Sequence, residues 1–331
     1  MKKIICLALC GALAVGALGL SACSKELPRN CYSMTLEYSP ETRTLTGDMT
    51  AQIVNTTENA CETLSFQLWA NAYREGAKYA PVSELFTAAA YYQGASYGGI
   101  EVTGVTGAQG FRVSGEDANI LEVTLTEPLY PGEQVTLGMQ FCVTLAQVNH
   151  RLGVGENAVT LTGFYPVLCS CGGTQEHVYA DLGDPFVSEC ADYEVTLTLP
   201  ESYTLAYTGE GERTVSDGKA TYHVRAENVR DVAMVCSEKF KTVETQADGV
   251  PVTYYYLDDS SPERTLAVAA ESLSYYSESF TDYAYGQYAV VETDFPYGGM
   301  EYPMLSMIAN DLRAEEVPLV VAHETAHQWW Y

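Results

Sequence analysis

The stretch Val317-Pro318-Leu319-Val320-Val321-Ala322-His323-Glu324-Thr325-Ala326-His327-Gln328-Trp329-Trp330-Tyr331 decides the reading of this chain. Pro318 suits the first turn of a helix, where its missing N–H costs nothing. Glu315 and Glu316 sit just ahead, where carboxylates favour the positive end of the helix dipole. No Pro or Gly follows Leu319, so a helix is predicted to run to Tyr331. On it His323 and His327 are four residues apart, and both imidazoles leave one face, one turn apart. That arrangement suits two nitrogen ligands of one Zn²⁺. Glu324 is rotated about 100° from His323. It is placed to take a proton from a zinc-activated water rather than to ligate.

Upstream, Val252–Leu257 reads as a strand. Ser261-Pro262-Glu263 opens a helix with a serine cap and proline in its first turn. Leu266, Ala270, Leu273, Tyr276 and Phe280 recur on it at three- and four-residue steps. Tyr288–Val291 and Met304–Ile308 read as strands. Tyr297-Gly298-Gly299-Met300-Glu301-Tyr302-Pro303 lies between them. The mixed pattern from residue 246 to 331 implies the start of an α+β domain.

Residues 23–245 alternate as β-strands do. Val135, Leu137, Met139, Phe141, Val143 and Leu145 interleave with polar or small residues, and so do Tyr193, Val195, Leu197 and Leu199. Each set marks a half-buried strand. Pro131-Gly132 and Asp217-Gly218 supply turns. About ten short strands imply a β-sandwich. Ala70 to Ala95 breaks the pattern and is expected to be helical or irregular.

Residues 1–22 read as a targeting segment, with Lys2 and Lys3 before an apolar run from Ile4 to Leu20. Leu20-Ser21-Ala22-Cys23 resembles a bacterial lipobox, which implies cleavage before Cys23 and lipid attachment to it. The expected location is extracytoplasmic, anchored to the bacterial cell membrane through Cys23. The chain has 43 acidic and 17 basic residues. Beyond residue 22, fifteen basic residues face all 43 acids, an excess of 28 negative charges. Nucleic acid is therefore excluded as a partner, as is electrostatic binding to anionic lipid. Seven cysteines follow Cys23. They show no zinc-type spacing, and their pairing is not readable from spacing.

Two motifs now carry a resemblance. His323-Glu324-Thr325-Ala326-His327-Gln328-Trp329 resembles the H-E-x-x-H-Q-W of the membrane alanyl aminopeptidases, peptidase family M1. Gly298-Gly299-Met300-Glu301-Tyr302 resembles their G-x-M-E-N, about two dozen residues upstream. Gly183-Asp184-Pro185-Phe186 and Val229-Arg230-Asp231-Val232-Ala233 resemble segments of that family's N-terminal β domain. The resemblance implies one catalytic Zn²⁺ with His323 and His327 as ligands and Glu324 as general base. It implies that Gly298, Gly299, Met300 and Glu301 bind the free α-amine of a peptide substrate, and that the catalytic domain is thermolysin-like. Tyr302 departs from the usual asparagine. The family's third ligand, a glutamate on the next helix, would lie beyond Tyr331. The chain is thus expected to be an N-terminal part of a longer aminopeptidase, incomplete and inactive alone. Two other readings are a thermolysin-type endopeptidase, which has no need of Glu301, and a non-catalytic surface lipoprotein that binds through its β domain.

Overall fold

A computed structural model describes residues 28–172, 177–181 and 183–330. The targeting segment and Cys23 lie outside the described residues. Those described form a mainly β fold of several sheets, with the longer helices near the C-terminal end. No described helix is long and apolar enough to cross a membrane.

The largest sheet has seven strands, in the order Glu210–Ser216, Lys219–Val229, Ala191–Pro200, Asn30–Ser39, Thr44–Val54, Gln134–Thr144 and Gly99–Thr106. Thr44–Val54 shows why: Leu45, Gly47, Met49, Ala51 and Ile53 point inward and the residues between them outward. Asn30–Ser39 and Ala191–Pro200 pair in parallel and the other neighbours antiparallel. Asp217 and Gly218 turn the hairpin at φ 54° and 73°. Positive φ at both central residues is what a tight primed hairpin turn demands.

Two four-stranded sheets share the core with it. One runs Val167–Cys171, Cys61–Gln67, Ile120–Leu129, Gly110–Ser114; the other runs Thr204–Tyr207, Met234–Ser237, Val159–Leu161, Gly153–Val154. The β part is therefore built from three sheets, where strand spacing alone suggested two. A Cys61–Cys171 disulfide joins neighbouring strands of one of them. Between residues 70 and 95 lie short helical turns only, at Trp69–Tyr73, Glu84–Phe86 and Thr87–Ala90.

The fourth sheet has five strands, in the order Lys241–Ala247, Val250–Tyr256, Tyr288–Thr293, Leu305–Ala309, Gly299–Tyr302. The first of these straddles residue 245. The three central strands run parallel, and Gly299–Tyr302 is antiparallel on the edge. The Pro262–Ser279 helix packs Leu266, Ala269 and Leu273 on this sheet together with Val321 of the Val317–Ala326 helix. Ser261 makes no side-chain cap. Asp259 braces this end of the helix without capping it, accepting from Ser261 N at 2.7 Å and from Thr265 Oγ1 at 2.6 Å.

The motif helix also ends earlier than expected. Regular α structure stops at Ala326, and His327 is its C-terminal cap, still right-handed at φ −63°. Gln328 N and Trp329 N bond to Thr325 O and Ala326 O, a tightening usual in a last turn. Glu316 bonds to Arg313 rather than to the helix N–H groups.

Candidate active site

Two elements build the site. The Val317–Ala326 helix lies over the strand pair Leu305–Ala309 and Gly299–Tyr302. A buried polar group fixes it there. Tyr288 OH donates to Ser306 Oγ at 2.8 Å, and Ser306 Oγ donates to Glu324 O at 3.2 Å. Thr325 Oγ1 donates to Val321 O at 2.7 Å and lies 3.0 Å from Tyr288 OH. Gln328 grips the far end of the strand hairpin, donating to Tyr302 O at 3.1 Å and accepting from Met304 N at 2.8 Å. The glutamine after the second histidine thus locks helix to strands.

His323 and His327 meet through their Nε2 atoms at 3.3 Å. Two nitrogens on one tetrahedral zinc, at about 2.0–2.1 Å each, lie about 3.3–3.4 Å apart. His327 Nδ1 donates to Trp330 O at 2.7 Å, because a carbonyl can only accept. In the neutral ring this leaves the Nε2 lone pair facing His323, the tautomer a metal ligand needs. The pair fits zinc by the spacing of its Nε2 atoms, and His327 also by proton position. Two carboxylates lie close by: Glu301, Glu324 and His327 each offer a ligand atom within 4.8 Å of one another, a group that does not include His323. Glu301 Oε1 lies 3.9 Å from His327 Nδ1.

Glu324 faces away from water, with 5% of its surface exposed. Its Oε2 is buried without a hydrogen-bond partner among the described residues. Burial, and then the nearby Glu301 carboxylate, push its pKa up to about 8; a cation at the site would oppose both effects. Its carboxylate rests on Gly299. A Cβ at that position would lie 2.6 Å from Glu324 Cδ and 2.7 Å from Cγ. The strand needs glycine there for space. Gly298 needs it for conformation, at φ 88° with nothing nearby.

Along the edge strand side chains alternate. Met300 and Tyr302 are buried, whereas Gly299 and Glu301 lie half-exposed beside a cleft of about 230 Å³. The β part supplies the opposite wall, including His150, Arg151, Tyr179 and Asp184, while Phe295 and Tyr297 come from the loop before the edge strand. Sequence reasoning missed this wall, since its residues are scattered from 150 to 184 and carry no shared spacing. The Gly183-Asp184-Pro185-Phe186 segment was the one available signal. Asp184 pairs with Arg151 at 2.7 Å, and Phe186 stacks edge-on against Trp69 at 5.0 Å. His150 is buried against Tyr73 OH at 2.7 Å, and burial together with Arg151 lowers its pKa to about 3. His177 and His223 lie away from the cleft. Of the expected site residues, Gly298, Gly299, Met300, Glu301, His323, Glu324 and His327 come together on the hairpin and helix.

No family model matches the chain, and no curated protein matches it. Solved structures do. An M1 zinc metallopeptidase from Deinococcus radiodurans matches with TM-score 0.62 at 19% identity, over 91% of this chain and 63% of that one. A two-domain M1 zinc metallopeptidase mutant bound to L-arginine matches with TM-score 0.62 at 18% identity, over 91% and 64%. A mutant of the Deinococcus radiodurans protein bound to a Tyr-Ser-Ala substrate matches with TM-score 0.59 at 18% identity, again over 91% and 64%. Over 91% of its length this chain therefore carries the fold of M1 zinc metallopeptidases, and it spans about 64% of theirs.

Proposed function

We propose that this chain carries the substrate-amine site and two zinc ligands of a zinc-dependent aminopeptidase that removes the first residue of oligopeptides. In this reading the part from residue 246 onward begins a thermolysin-like catalytic domain. The observation that carries the proposal is the edge strand bearing Glu301 against the helix bearing His323, Glu324 and His327. The structural relatives, described as zinc metallopeptidases and seen with an amino acid and a tripeptide, support it.

The roles follow from chemistry. His323 and His327 would hold the metal. A bound zinc supplies Lewis acidity and a nucleophilic water at neutral pH. Glu301 receives the substrate's ammonium, and this charge pair confines cleavage to one residue from the free end. The open edge of Gly299–Tyr302 pairs with the peptide backbone. Glu324 would take a proton from the attacking water as its oxygen bonds to the scissile carbonyl carbon, and would give that proton to the nitrogen as the C–N bond breaks. The cleft beside Glu301, with Phe295 and Tyr297 in its wall, receives the first side chain.

The test is hydrolysis of an aminoacyl chromogenic amide by the full-length protein, beside the same substrate acetylated on its amine. Cleavage of the free-amine substrate alone supports an aminopeptidase. Equal cleavage of both supports an endopeptidase, and cleavage of neither supports a binding module. Anchorage through Cys23 belongs to the same proposal. Cys23→Ser should move the protein from the membrane to the soluble fraction, and an unchanged distribution would remove that part.

A further inference from the structure

Tyr302 stands where the similar motif has asparagine, and its side chain does something asparagine is too short to do. It is fully buried in the cluster that joins the β part to the five-stranded sheet. In that cluster the β part presents Ala158, Ala206, Ala233 and Val235. These small residues leave room for a large ring from the other side. The ring crosses the junction, and Tyr302 OH donates to Thr162 Oγ1 at 3.0 Å. Thr162 Oγ1 in turn donates to Arg151 O at 2.8 Å. Arg151 is a cleft residue, held by Asp184 at 2.7 Å and by Gly183 O at 3.0 Å. At its own backbone, Tyr302 O accepts from Gln328, just past the end of the H-E-x-x-H helix.

We infer that Tyr302 is a positioning residue for substrate binding: through Thr162 it fixes the strand carrying Glu301 against the Arg151 wall of the cleft. The inference rests on the aminopeptidase reading. Glu301 is the preceding residue on a four-residue edge strand that, among the described residues, pairs with Leu305–Ala309 alone. No described strand steadies its open side, so the strand's end depends on anchors beyond the sheet. Tyr302 supplies two, one to the β part through its hydroxyl and one to the helix through its carbonyl. Loss of the hydroxyl frees the first and leaves the second. The distance between the amine site and the cleft wall then relaxes, while the helix-borne residues stay in place. A role in packing alone would predict something different, namely lower stability with unchanged substrate binding.

Tyr302→Phe keeps the ring and removes one hydroxyl. In full-length protein, KM for a free-amine aminoacyl amide should rise about three- to tenfold, the range set by one buried hydrogen bond, with kcat within about twofold. Calorimetric titration with L-arginine, the ligand seen in a structural relative, should show the same weakening. Thr162→Val should reproduce the effect, and the double variant should add little to either single one, because both remove one link. Unchanged KM and unchanged amino-acid binding in Tyr302→Phe would overturn the inference, as would a lower melting temperature with wild-type KM. So would fully additive single variants. An inactive wild-type protein that binds no amino acid would instead defeat the aminopeptidase reading itself, which separates the two failures.

Discussion

Gly299→Ala tests the contact between the two motifs with a single methyl group. Gly299 is not among the residues at positive φ, so alanine meets no backbone penalty there. The obstacle is Glu324: the new Cβ would stand 2.6 Å from its Cδ and 2.7 Å from its Cγ. Ordinary carbon contacts begin at about 3.5 Å, so the side chain must retreat by nearly 1 Å. The side chain that must move is packed, at 5% exposed, so its retreat disturbs its neighbours. A displacement near 1 Å in a catalytic group costs on the order of 10²-fold in rate. The overpacking itself costs about 1–3 kcal/mol of stability. His323 and His327 are not in the contact, so zinc content should hold. The assay is kcat and KM on a free-amine substrate with zinc per chain measured on the same sample. The expected result is kcat lower by about 10²-fold with zinc retained. Gly298→Ala is the control, because its Cβ would meet nothing; it carries only the strain of a positive φ, about 1–3 kcal/mol. Wild-type kcat in Gly299→Ala would refute the placement of Glu324 against the edge strand.

Other perturbations reach different parts of the account. Glu301→Gln removes a charged partner of the substrate amine, so KM for free-amine substrates should rise about 10- to 10²-fold, from about 1.5–3 kcal/mol for a hydrogen bond to charge, and an unchanged KM would count against the amine site. Asp231 is a buried carboxyl whose Oδ1 has no partner among the described residues. Burial, with Asp184 adding to it, raises its pKa to about 7. The folded state thus binds its proton more tightly than the unfolded chain, and stability is lost as pH rises from about 4 through about 7. Melting curves of Asp231→Asn should gain on wild type across that window, and parallel curves would contradict the assignment. Cys61 and Cys171 close a loop over a sequence separation of 110. Chain entropy then gives about 4–5 kcal/mol for the bridge. Cys61→Ser with Cys171→Ser should lower the melting temperature by many degrees, and no change would show that the bridge does not form.

Local patterns were legible where they repeat at a fixed period. The alternation of Val135 to Leu145 gave a strand that ends one residue sooner, at Thr144. The four-residue histidine spacing gave the facing Nε2 atoms. What local patterns lack is the pairing of distant strands. Ala191–Pro200 joins Asn30–Ser39 across some 160 residues of sequence, and nothing in either strand names the other. The cleft wall was hidden for the same reason: Arg151 and Asp184 approach Glu301 only after three sheets assemble. The helix end was misjudged because Gln328 is drawn off to Tyr302 and Met304, a tertiary demand absent from helix propensity. Tyr302 could be seen as a departure from the motif, but its reach to Thr162 belongs to the junction between the sheets.

The central claim is that His323 and His327 hold one zinc. Its most direct test is the zinc-to-chain ratio of purified full-length protein, measured beside His323→Ala/His327→Ala. The account predicts one zinc per wild-type chain and none in the double variant. Wild-type protein without zinc, or a double variant that keeps it, would contradict the account.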